Sequence, residues 1–211
     1  MLVHGFSKNS KDMKPLQRNL ELLGYQCFLP DLPITYQEFE FAAFVLDRFL
    51  EEIVTFDLRE NEKIHLVGHS TGGLVIRDLI TKTKNIDKIG RCVLVASPNK
   101  GSQLANIAGK VKLYVEIFKT LKSLSYEYIE QIHFRNHPSI EIAAIAGDRS
   151  NYLLGNLIDG KNDGRVEVQS VYYADLKDFM IVPYGHKEIH HKVETAKYID
   201  AFLRTGQFLP K

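Results

Sequence analysis

Three residue types along this chain could together cleave a carbonyl bond: a serine, a histidine and an aspartate, each close to a glycine. The serine is Ser70, in Gly68-His69-Ser70-Thr71-Gly72. An apolar run, Ile64-His65-Leu66-Val67, precedes it, and Leu74, Val75, Leu79 and Ile80 follow at helical spacing. A strand, a tight turn and a helix in that order can hold a serine at a sharp bend with its hydroxyl exposed. Such a bend needs the glycines. The residue at its tip takes a strained backbone conformation, and the neighbouring chain passes too close for a side chain at 68 or 72. The five-residue pattern is common by chance, so its partners carry the argument.

A serine hydroxyl is a poor nucleophile near neutral pH. It needs a base, and the base needs an acid to fix its tautomer and stabilise its charged form. His186 follows the last apolar run through Pro183-Tyr184-Gly185, a loop position from which it can reach the bend. His190 and His191 are the next candidates, though they are expected inside the following helix. Two acids fit the chain order Ser, Asp, His. Asp163 lies in Asn162-Asp163-Gly164-Arg165-Val166, and Asp148 follows the apolar run 140–147. Asn-Asp-Gly is also an ordinary turn, and spacing does not choose between the two.

The developing oxyanion needs donors, each worth about 2.7–4 kcal/mol in mutational tests. The backbone N–H of Thr71, at the start of the helix, is one. Phe6, where the chain leaves its first strand through His4-Gly5, supplies the other, with the His4 side chain bracing the loop. His186 and His190 have the spacing of two ligands on one helix face. No carboxylate or third ligand stands at a sensible spacing, so no metal is expected, and the chemistry requires no organic cofactor.

These residues must be brought to one rim by the elements between them. Apolar runs at 1–3, 25–29, 63–67, 91–96, 140–147 and 179–182 read as strands. Helical patterns cover 11–23, 36–56, 72–83 and a C-terminal stretch ending near Arg204. Strands alternating with helices mean an α/β architecture: a mostly parallel sheet of about six strands covered on both faces. Ligands of such sheets bind beyond the carboxyl ends of the strands, where all the candidates fall. Residues 103–139 exceed what a single crossover helix needs. Leu113, Ile117, Leu121, Leu124 and Tyr128 form a helical stripe there, with Lys110, Lys112, Lys119 and Lys122 interspersed. The segment reads equally as a surface helix with a solvated basic face or as a cap over the site.

Composition bounds the rest. The 211 residues fit one domain, 1–211, with a substantial core. A formal charge of +1 gives no electrostatic footprint for nucleic acid. Cys27 and Cys92 lie in apolar stretches and read as small core residues. With no secretory signal at Met1-Leu2-Val3-His4-Gly5, they point to a reducing, cytoplasmic compartment.

Taken in order, Val3-His4-Gly5-Phe6, Gly68-His69-Ser70-Thr71-Gly72-Gly73, Ser97-Pro98-Asn99-Lys100-Gly101-Ser102, Asn162-Asp163-Gly164-Arg165-Val166 and Gly185-His186 resemble the motifs of lipase-type α/β-hydrolases. The resemblance spans nearly the whole chain and is weakest over 103–139. It implies the α/β-hydrolase fold with Ser70 as nucleophile, His186 as base and Asp163, rather than Asp148, as acid. It also implies that Phe6 and Thr71 supply the oxyanion N–H groups and that 103–139 occupies the place of the lid. The implied activity is hydrolysis of carboxylic, acyl or lipid-like esters through an acyl-enzyme, with 103–139 as the stretch that would touch a lipid interface. A thioesterase or amidase would use the same triad, and a non-catalytic binding module is the rival class. The chain departs from the pattern in two places. It begins at the oxyanion strand, and Lys187-Glu188-Ile189 follows His186 where more apolar residues are usual.

Overall fold

The computed structural model describes residues 1–108, 119–150, 155 and 158–209. Five strands, β1 (Leu2–Val3), β2 (Ile64–His69), β3 (Ile89–Val95), β4 (Ile142–Gly147) and β5 (Asp178–Val182), form one sheet. Their spatial order is their order in the chain, and every neighbouring pair is parallel. The helices are α1 (Lys14–Leu22), α2 (Phe39–Phe56), α3 (Thr71–Lys82), α4 (Gln103–Ala108), α5 (Lys119–Ser123), α6 (Tyr126–Gln131), α7 (Val168–Val171) and α8 (Val193–Thr205).

The period-2 alternation of strands sorts the core into two layers. Leu66, Cys92, Leu94, Ala144 and Ala146 face one side, with Leu46 and Leu50 of α2 and Leu74 and Val75 of α3. Val67, Val93, Val95, Ala143 and Ile145 face the other, with Leu16 and Leu20 of α1 and Ile199 and Phe202 of α8. Apolar burial on both faces is why the central strands read as continuous apolar runs.

α1 ends as its sequence suggests. Gly24 takes φ +95°, its N–H donates to the Glu21 carbonyl at 3.0 Å, and the Tyr25 N–H donates to the Leu20 carbonyl at 3.1 Å. This is a Schellman motif, which satisfies carbonyls the helix leaves open.

The sheet differs from expectation at one edge. Residues 25–29 form no strand; the Leu2 N–H donates to the Phe28 carbonyl at 2.8 Å and the ladder stops. β1 offers only two residues to pair with, and Pro30 beyond the segment has no N–H to give.

The insertion differs too. Leu113, Ile117, Lys110 and Lys112 lie outside the described residues. The remainder of the stripe is broken, because Ser125 accepts from the Tyr128 N–H at 3.2 Å and starts a new helix, α6. Lys119 and Lys122 are exposed, while Leu124 is buried. The Thr120 hydroxyl donates to the carbonyls of Ile34 and Gln37, and the Tyr128 hydroxyl donates to Glu40 at 2.8 Å. The insertion is therefore pinned to the N-terminal end of α2. No helix among the described residues is long and apolar enough to cross a membrane.

Candidate active site

Ser70 sits between β2 and α3 with φ +54° and ψ −126°, a conformation that costs an L-residue energy and is held only by its surroundings. Its N–H donates to the Val95 carbonyl at 2.9 Å, and its carbonyl accepts from the Gly73 N–H at 3.0 Å. A serine at a helix start ordinarily spends its hydroxyl on capping; here it makes no capping bond, which leaves Oγ for other work. The glycines are required by contact. A Cβ on Gly68 would stand 2.6 Å from the Gly72 carbonyl carbon, one on Gly72 would stand 2.6 Å from the His4 carbonyl oxygen, and one on Gly5 would stand 2.9 Å from the Ser70 Cβ.

His186 reaches Ser70 across 116 residues: its Nε2 is 3.0 Å from Ser70 Oγ, and its Nδ1 is 2.8 Å from Asp163 Oδ2. The carboxylate only accepts, so the ring proton belongs on Nδ1 and Nε2 is left to accept from the serine hydroxyl. Both His186 and Asp163 are buried. The other oxygen of Asp163 accepts from the N–H groups of Arg165, at 3.0 Å, and Val166, at 2.8 Å. The Asn-Asp-Gly turn is thus a turn and an acid holder at once. Gly164 takes φ +93°, and Asn162 Oδ1 accepts its N–H at 2.9 Å. Of the two candidate acids it is Asp163 that meets His186; Asp148 donates its backbone N–H to the Val182 carbonyl at 3.1 Å.

Thr71 is the first residue of α3, where an N–H has no partner within its own helix. Phe6 follows Gly5, which packs against Ser70. His4 braces this loop: the Leu32 N–H donates to its Nε2 at 3.0 Å, which puts the proton on Nδ1, 3.0 Å from the Gly5 carbonyl. Burial pulls the His4 pKa down, in keeping with a neutral ring.

His190 and His191 are not in the C-terminal helix. They form a 3-10 turn, Ile189–His191, separated from α8 by the extended Lys192. His190 Nε2 lies 3.0 Å from Asp12 Oδ2, and His191 Nε2 lies 3.1 Å from the Asp12 carbonyl. Asp12, His190 and His191 form one cluster of metal-capable atoms. Lys8 Nζ takes the second Asp12 oxygen at 3.1 Å, and His190 Nε2 donates to the first. The arrangement is a hydrogen-bonded network.

Two contributors escaped the sequence reading. His69 is buried, and its Nε2 lies 3.0 Å from the His186 carbonyl. Burial, then the neighbouring His190 and His186, holds the His69 pKa well below its usual range. A neutral ring has one N–H and a carbonyl only accepts, so the proton sits on Nε2. The ring stacks on His190 with centroids 3.7 Å apart. Gly147 is the second: a Cβ there would stand 2.9 Å from the Asp163 Cβ, so glycine at the end of β4 admits the acid loop. A glycine closing an apolar run was the available signal for Gly147; none existed for His69.

A family model described as a domain of unknown function (DUF7379) matches residues 46–135. No curated protein matches the chain. Among solved structures, the mature lipase BlEst2 of Bacillus licheniformis is similar at TM-score 0.81 and 19% identity, over 98% of this chain and 90% of that one. A metagenomic carboxyl esterase is similar at TM-score 0.69 and 18% identity, over 88% of this chain and 63% of that one. Phospholipase PlaB of Legionella pneumophila is similar at TM-score 0.72 and 14% identity, over 98% of this chain and 59% of that one. With the parallel sheet and its covering helices, these likenesses establish the α/β-hydrolase fold.

Proposed function

We propose that this chain is a serine hydrolase of carboxylic esters, acting as one catalytic domain on acyl or lipid-like substrates. The observation that carries the reading is the unbroken line from Asp163 Oδ2 through His186 to Ser70 Oγ, at 2.8 and 3.0 Å. The names of the neighbouring structures, a lipase, a carboxyl esterase and a phospholipase, support the acyl-ester class.

The chemistry follows from the geometry. His186 Nε2 takes the Ser70 proton as Oγ bonds to the substrate carbonyl carbon. The N–H groups of Phe6 and Thr71 receive the negative oxygen. Asp163 keeps the ring in its working tautomer and stabilises the imidazolium. Collapse of the tetrahedral species breaks the bond to the alcohol, which leaves with the proton from Nε2. Water, deprotonated by His186, then attacks the acyl-serine, releasing the acid and restoring Ser70. In this reading residues 103–139 serve as the lid; Ser102, just before them, donates its hydroxyl to the Arg165 carbonyl beside the acid loop at 3.3 Å.

The test is a panel assayed on p-nitrophenyl butyrate and with a fluorophosphonate probe. Wild type should hydrolyse the ester and be labelled at Ser70, and Ser70→Ala should do neither. Asp163→Asn should lose about 10⁴ in kcat through the wrong tautomer, while Asp148→Asn stays near wild type. Activity retained in Ser70→Ala would falsify the mechanism. A wild type that is neither labelled nor active would point to a binding module.

A further inference from the structure

Two turns along α3 from Ser70 lies a buried guanidinium. Arg77 is 8% exposed, and its Cζ sits 4.2 Å from the ring centroids of both Phe134 and Tyr173. Nη1 donates to the Asn99 carbonyl at 3.1 Å. Nε is buried and has no hydrogen-bond partner among the described residues. Burial pulls the Arg77 pKa down, and the acid acting on it through space, Asp175, is exposed. No ion pair among the described residues includes Arg77. A buried cation with a vacant donor and no counter-charge in contact is costly, and folded proteins rarely leave one without use.

Arg77 and its two rings line a cleft of 460 Å³. That is the size of small-molecule sites, and the mix of apolar walls with a few polar groups is their usual make-up. Ile129 and Ile132 contribute apolar wall, Lys100 and His133 add basic groups, and Glu130 is the acid among the lining residues.

We propose that this cleft binds an organic carboxylate. The planar head would accept from the unpartnered Nε–H of Arg77, and the apolar body would lie against Ile129 and Phe134. A guanidinium edge offers two parallel donors that match the two oxygens of a carboxylate, and one guanidinium balances a carboxylate's single charge better than the larger charge of inorganic phosphate. The other side-chain cation, Lys100, is exposed and lies over Tyr172 at 5.6 Å. The site shares α3 with Ser70 but none of the residues of the Asp163–His186–Ser70 line, so it does not depend on the hydrolase reading.

Calorimetric titration with sodium benzoate at fixed ionic strength tests it, with sodium phosphate as the second arm. Wild type and Ser70→Ala should bind benzoate saturably and alike, Arg77→Gln should bind at least about tenfold more weakly, and phosphate should give no saturable heat. Absence of saturation in wild type, equal affinity in Arg77→Gln, loss in Ser70→Ala, or phosphate binding in place of benzoate each overturns the assignment. Should Arg77→Gln fail to fold, the buried Arg77 Nε–H resonance of wild type decides. A shift on saturation with benzoate supports the site, and an unmoved resonance overturns it.

Discussion

Ser70 and His186 meet through two independent ties, and only one of them is the bond between their side chains. The other runs through His69, the residue just before Ser70, whose Nε2–H holds the His186 backbone carbonyl. Behind it, His190 stacks on the His69 ring and is itself held by Asp12. On the proposed function, His69 would act through the His186 main chain, as a positioning residue. His69→Ala should lower kcat about tenfold, the equivalent of roughly 1.4 kcal/mol for a lost buried hydrogen bond, with KM little changed. His69→Gln, which keeps a donor at similar reach, should recover most of the rate. Equal loss in both variants would mean that the ring only fills space. Ser70, Asp163 and His186 were legible in the sequence because a sharp turn, an Asn-Asp-Gly loop and a post-strand glycine mark them locally. The choice of Asp163 over Asp148 rested on resemblance, and the hydrogen bond to His186 now supports it. His69 was illegible because its partner is a carbonyl 117 residues away, and a carbonyl leaves no trace in the sequence.

Among the elements, the insertion after β3 departs from its sequence pattern. A continuous helical stripe was expected, and the capping oxygen of Ser125 outweighed the periodicity. What fixes its start is equally non-local. Glu167, beside the acid loop, accepts the first N–H of α4 from Gln103 at 2.9 Å and the Tyr126 hydroxyl of α6 at 2.6 Å, both on one oxygen. One buried carboxylate therefore ties two helices of the insertion to the segment that carries Asp163. Glu167→Ala should release them and speed limited proteolysis within 103–131, whereas Glu167→Gln keeps an acceptor and should stay closer to wild type. Cleavage rates that are the same in all three proteins would show that the anchor lies elsewhere, for instance in Thr120 on the Ile34 carbonyl. The regular elements were easier to read. Strands buried on both faces and helices with one apolar face declare themselves by period, while residues 25–29 had the composition of a strand but met an edge of two residues.

At the scale of the whole molecule, several histidines are buried or half-buried by the fold. His4, His65, His69 and His190 all have pKa values lowered from 6.5, in each case chiefly by burial. In the unfolded chain they return to the ordinary value, so below it the unfolded state binds more protons than the folded one. Their contribution to stability is complete above pH 6.5 and is lost as pH falls toward their folded values, at up to about 1.4 kcal/mol per pH unit for each extra proton. Glu40 and Asp78, raised by burial, oppose this in the lower part of the window. The urea midpoint should fall from about pH 8, first through the Met1 amino group, which burial lowers from 8.0 to about 6, and below about 6.5 through the histidines, less steeply in His69→Gln. A level midpoint throughout would remove the histidines from the account. The strand order of the sheet has a consequence of a different kind. Because each strand lies next to the one made before it, a chain leaving the ribosome can extend its sheet outward in step with synthesis, with no strand waiting for a later neighbour. Ser70 emerges early in that process and His186 only after β5. The nascent chain can thus bring its first four strands together before His186 exists to meet Ser70.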